Sequence, residues 1–63
     1  MLVPVFEVYN EKEAGCVIFL TKEAAEAHRS ICWFGAASVP FAATVDLTEQ
    51  ELAELEAVGY LWV

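Results

Sequence analysis

Apolar residues run along this chain in short blocks separated by polar or small-residue breaks, and the composition and period of each block set its element. Leu2 to Tyr9, rich in Val and aromatic residues, predicts a strand, with Pro4 either placing it at a sheet edge or confined to its first residues. The polar segment Asn10-Glu11-Lys12-Glu13-Ala14-Gly15 supplies turn chemistry, and strand composition resumes from Cys16 to Leu20, so the pair predicts an antiparallel hairpin. Thr21 is the N-cap of a helix beginning at Lys22, and Ala24, Ala25, Ala27, His28, Ile31 and Cys32 continue it to about Phe34 and Gly35. Its alanines allow close packing on a sheet. Ala36 to Ser38 is a small-residue connection, and Pro40 to Val45 is a third strand.

The segment from Asp46 to Gly59 has the most sharply defined ends. Thr48 followed three residues later by Glu51 is a capping box, in which the hydroxyl accepts from the Glu51 amide and the Glu51 carboxylate accepts from the Thr48 amide. Leu52, Leu55 and Val58 make a narrow apolar stripe, and Gly59 stands where a left-handed C-cap residue belongs. A short fourth strand, Tyr60 to Val63, follows. The order strand, strand, helix, strand, helix, strand predicts an α+β fold: a small, mostly antiparallel sheet with two helices packed on it, in a single compact domain over residues 1–63.

Both faces of that sheet carry large apolar groups. Phe6 and Val8 alternate with Val5, Glu7 and Tyr9, and Ile18 and Leu20 with Val17 and Phe19. If both helices share one face, Val3, Val5, Tyr9, Val17 and Phe19 lie exposed and form a binding surface; the alternative is a helix on each face. The sequence leaves both open. Trp33, Phe34, Phe41, Tyr60 and Trp62 are assigned to the core, although Trp and Tyr also serve as interface anchors.

Charge changes the picture more than composition does. Ten acids against three bases give a formal charge of −7, while 59% of residues are hydrophobic. Acidic disordered tails are poor in apolar residues, so this chain folds with its charge on a limited surface. Bare nucleic acid and anionic membranes are disfavoured partners, and a basic protein surface is favoured. The uncharged run from Ile31 to Val45 is shorter than the roughly 20 residues of a spanning helix, and Pro40 interrupts it. With no basic region preceding an apolar run at the N-terminus, the expected location is the cytoplasm. Cys16 and Cys32 are then expected as reduced core thiols.

Candidate chemistry is sparse. His28 and Cys32, four apart on a helix, offer two metal ligands with Cys16 as a third, but the closely spaced pairs of a zinc site are missing, so no metal or cofactor is expected. The same two residues lack the third orienting group and cleft that nucleophilic catalysis requires, so the chain is not expected to be an enzyme; His28 is read as a surface or part-buried histidine. The acidic helix remains. At ~100° per residue, Glu49 and Glu56 project on one flank about 10 Å apart, with Ala53 between them, while Glu51 and Glu54 project toward the other. Such rows can stand in for phosphates before an Arg- and Lys-lined groove; for an isolated helix a solvated, well-capped face is the first reading, but Lys12, Lys22 and Arg29 compensate for only three of the chain's acids. Asp46, Glu49, Glu51, Glu54 and Glu56 are the candidate partner-binding residues.

The short single domain, the acidic stretch from Asp46 to Glu56 and the lack of a catalytic constellation resemble, in overall character, the small acidic proteins by which phages and mobile elements disable host defence complexes, anti-CRISPR proteins among them. The resemblance implies stoichiometric inhibition: occupying a basic nucleic-acid groove of a partner protein and excluding the nucleic acid, with no direct nucleic-acid or membrane binding. Two other expectations compete with it. One is a structural or regulatory interaction module that binds through an apolar sheet face as a homodimer, and the other is a small enzyme using His28 and Cys32.

Overall fold

The computed structural model describes residues 1–11, 14–31 and 38–63. Its elements are β1 (Leu2–Asn10), β2 (Gly15–Phe19), α1 (Lys22–Ile31), β3 (Phe41–Asp46), α2 (Glu49–Val58) and β4 (Leu61–Trp62). This is the α+β order the pattern predicts, with ends moved by a residue or two. The expected continuation of α1 to Phe34 and Gly35, together with Cys32, Trp33 and the start of the connection at Ala36, lies outside the described residues. The four strands form one antiparallel sheet in the order β3-β1-β2-β4.

Pro4 therefore does not mark an edge, because β1 is an interior strand. Met1 and Leu47 exchange two backbone bonds, Leu47 N–H to Met1 O at 2.8 Å and the Met1 ammonium to Leu47 O at 2.7 Å. Antiparallel ladders alternate hydrogen-bonded with non-bonded pairs, so the next bonded pairs are Val3 with Val45, Val5 with Ala43 and Glu7 with Phe41. Pro4, opposite Thr44, turns its nitrogen away from β3 toward the β2 side, and β2 reaches only as far as Phe6. The proline sits where no ladder donor is required.

The pairing register settles the two-face question. Val8 lies opposite Val17, Phe6 opposite Phe19 and Glu7 opposite Ile18. Each pair joins an even position to an odd one, and directly opposed residues share a face. Val17 and Phe19 thus lie with Phe6 and Val8, on the face away from Val3, Val5 and Tyr9, and the exposed face expected from grouping those five residues does not exist. Instead each face has its own helix. On one side Ala24 and Ala25 of α1 pack with Phe6, Val8, Val17 and Phe19. On the other, Leu47, Leu52 and Leu55 pack with Val3, Val5, Ile18, Ala43, Val45 and Leu61. Covering both faces lets so short a chain bury large apolar residues from every strand of the hairpin.

The helix ends follow their local chemistry. Thr21 Oγ1 accepts from the Ala24 amide at 3.2 Å, as an N-cap should. In α2 both bonds of the capping box are present, Glu51 N–H to Thr48 Oγ1 at 3.1 Å and Thr48 N–H to Glu51 Oε1 at 2.9 Å. Gly59 takes a left-handed φ of 98° and donates to Leu55 O at 2.8 Å. The apolar stripe is narrower than expected: Leu55 is buried and Leu52 half-buried, but Val58 is 56% exposed. At 100° per residue Val58 lies about 60° beyond Leu55, on the side away from Leu52, and so points off the sheet.

The aromatic residues assigned to the core are also corrected. Phe41, Tyr60 and Trp62 are all more than 40% exposed. Phe41 and Trp62 belong to the two outer strands, β3 and β4, and Tyr60 directly precedes β4. Trp33 and Phe34 lie outside the described residues.

Candidate functional site

The two helices differ sharply in charge. Within α1, Lys22 and Arg29 offset Glu23 and Glu26, a net of zero with His28 neutral, whereas α2 carries Glu49, Glu51, Glu54 and Glu56 and no base, a net of −4. Because the helices cover opposite faces, the described residues divide by charge, α2 making its side acidic while α1 is balanced and Asp46, on the α1 side by alternation, is paired with the Met1 ammonium. Glu7 adds to the acidic side, since it alternates in step with Val3 and Val5 along β1.

Around α2, Leu52 and Leu55 point to the sheet. The opposite, solvent-facing ridge consists of Gln50, Ala53 and Ala57, all exposed. Glu49 and Glu56 flank that ridge on one side, and Glu54 and Glu51 on the other. Glu56 follows Glu49 by seven positions, about 10 Å along the axis. The result is two carboxylate rows with Ala53 and Ala57 between them and Gln50 at the N-terminal end of the strip.

The five candidate acids are not equivalent. Glu49, Glu54 and Glu56 are exposed, and no described cation lies within ion-pair distance of them. Glu51 is half-buried and held by the Thr48 amide. Asp46 is not part of the helix: it ends β3, and its carboxylate meets the Met1 ammonium at 2.8 Å. The structure therefore brings Glu49, Glu51, Glu54 and Glu56 together on one element and sets Asp46 apart.

Two residues that the charge pattern did not single out share the α2 side. Tyr9 and Phe41 are exposed there, beside Glu7, which lies directly opposite Phe41. Tyr9 is fixed by Ser38, whose hydroxyl accepts from the Tyr9 amide at 2.9 Å and whose own amide donates to Tyr9 O at 2.8 Å. Their presence on this side follows from odd-numbered alternation along β1 and β3, continued past the residues that α2 covers. Aromatic side chains of this kind are common interface anchors.

The other candidate groups do not converge. His28 is half-buried against Phe19, ring centroids 5.1 Å apart, with Tyr60 at 6.5 Å. It therefore lies on the α1 side, whereas Cys16, a half-buried free thiol opposite Tyr9, alternates with Val17 and lies on the α2 side. The sheet separates them, so the three-ligand arrangement of Cys16, His28 and Cys32 fails at its first pair; Cys32 itself is outside the described residues. Among the described residues no group of three or more His, Cys, Asp or Glu side chains is placed to hold a metal ion, and no helix is long and apolar enough to cross a membrane. Of the five residues expected on an open apolar sheet face, Tyr9 alone is exposed; elsewhere Pro4, Phe6, Leu20, Ala42 and Thr44 line a shallow hollow. No protein-family model, no curated protein and no solved structure matches the chain.

Proposed function

We propose that this protein is a stoichiometric binding inhibitor of the anti-CRISPR type, which lays its α2 side against a basic, nucleic-acid-binding surface of a partner protein and excludes the nucleic acid. The observation that carries this reading is the segregation of charge across the sheet, −4 on α2 against zero on α1. Uncompensated like charge on one side of a compact protein costs stability through self-repulsion, and a basic partner relieves that cost. Glu49, Glu54 and Glu56 supply the anionic rows, and the small side chains of Ala53 and Ala57 let a groove wall approach between them. Tyr9 and Phe41 supply apolar contact on the same side. Glu51 contributes charge but its main task is the cap.

The test is competition. Affinity for candidate basic, DNA-binding complexes is measured with and without competing DNA, for the wild-type protein and for a variant carrying Glu49→Gln, Glu54→Gln and Glu56→Gln. Gln keeps side-chain size and leaves the capping box intact. Mutually exclusive binding that the triple variant loses is the expected result. Simultaneous binding of DNA and protein, together with full affinity in the triple variant, would refute the mechanism.

A further inference from the structure

The sheet treats its two edges differently. β4 is a strand of two residues, and a very short edge strand is one of the ways folded proteins prevent unwanted strand pairing. β3 is six residues long, pairs with β1 without interruption, and has no charged residue or proline from Phe41 to Val45. Its one charge, Asp46, stands at the last position and pairs with the Met1 ammonium, so from Phe41 to Val45 the long edge has neither the charges nor the bulges that protect such strands.

The alternation of the ladder fixes which backbone groups that edge presents. Since Phe41, Ala43 and Val45 bond to β1, the N–H and C=O groups of Ala42, Thr44 and Asp46 point outward. Among the described residues no strand lies on that side of β3. The side chains of Ala42 and Thr44 are exposed on the α1 side, where they border the hollow lined by Pro4, Phe6 and Leu20. On the opposite side, where Phe41, Ala43 and Val45 point, lie Glu7 and the four carboxylates of α2.

We propose that the outer edge of β3 receives an extended segment of another protein as a fifth strand, in which apolar side chains alternate with Lys or Arg. The backbone groups of Ala42, Thr44 and Asp46 provide the ladder. The apolar side chains of the added strand fall on the α1 side, over the hollow, and its basic ones on the acidic α2 side. The charge of −7 selects this occupant over a second copy of the chain, which brings another −7 to the interface. Strand addition of this kind draws affinity from main-chain bonds and specificity from alternate side chains. It uses a different element from the α2 surface and is independent of that surface's function.

The probe is the capped peptide Lys-Val-Lys-Val-Lys-Val, compared with Glu-Val-Glu-Val-Glu-Val and with the segregated Lys-Lys-Lys-Val-Val-Val, and the readout is amide hydrogen exchange resolved by residue. The alternating basic peptide is expected to slow exchange at Ala42 and Thr44 by about tenfold or more, while Ala43 and Val45, already bonded to β1, change little. The two control peptides should leave Ala42 and Thr44 unchanged. Thr44→Pro removes an outward donor without touching the β1 ladder and should abolish the protection. The triple Gln variant of α2 should retain it at saturating peptide, which separates edge pairing from attraction to the helix. Unchanged exchange at Ala42 and Thr44 in the wild-type protein, equal protection by all three peptides, or loss of protection in the triple Gln variant would overturn the proposal. So would slow exchange of those two amides before peptide is added: if it grows with protein concentration the occupant is a second copy, and if it does not the edge is covered by the chain itself.

Discussion

Thr48 and Glu51 satisfy each other at the start of α2, each side chain accepting from the other's backbone amide at 3.1 and 2.9 Å. This reciprocal pair anchors the one element that carries four of the chain's ten acids. Thr48→Ala leaves the Glu51 amide without its acceptor and should cost about 1 kcal/mol in denaturant or thermal unfolding. An unchanged midpoint would mean that the helix begins elsewhere.

Leu55 holds α2 to the sheet. It is the only fully buried side chain of that helix, set among Val3, Val5, Ile18 and Leu47. Leu55→Ala should destabilise by about 2 to 5 kcal/mol, a large part of what so small a domain has, whereas Val58→Ala should change stability by no more than about 0.5 kcal/mol. Equal losses at the two positions would contradict the placement of the helix.

Two backbone positions invite opposite substitutions. Gly59 has a φ of 98° with open space around the site of a Cβ, so Gly59→Ala meets no clash and loses only through the left-handed backbone, by about 1 kcal/mol. Ala14, at φ 51°, already bears such strain in the turn between β1 and β2. Ala14→Gly should raise stability by up to about 1 kcal/mol, less the entropy that glycine adds to the unfolded chain. Unfolding midpoints moving in opposite directions for the two variants are the expected signature.

The acidic surface makes a kinetic prediction. If exposed carboxylates steer association, binding to a basic partner weakens as salt shortens the Debye length from about 10 Å at 0.1 M to about 3 Å at 1 M. The triple Gln variant at Glu49, Glu54 and Glu56 should then lose mainly association rate and show a flatter salt dependence. A loss confined to the dissociation rate, costing about 2 to 5 kcal/mol, would instead mean that one carboxylate is buried against a cationic partner group.

What the sequence by itself determined is local. Thr48, Glu51 and Gly59 specify both ends of α2 because capping depends on residues within a few positions of one another, and Thr21 does the same for the start of α1. The alternation of strand and helix composition along the chain was legible for the same reason, and so was the concentration of carboxylates on α2. Everything that depended on how elements meet had to wait for tertiary structure. Whether Val17 and Phe19 side with Val3 or with Val8 turns on a one-residue difference in hairpin register, which exchanges the two faces of a strand and leaves no trace in its own alternation. The same is true of Pro4, whose harmlessness inside β1 depends on where β2 stops, and of Phe41 and Trp62, whose exposure depends on which strands are outermost. The acidic side exists for that reason too: the sequence supplied two helices of different charge, and only their placement on opposite faces of the sheet turned that difference into a surface.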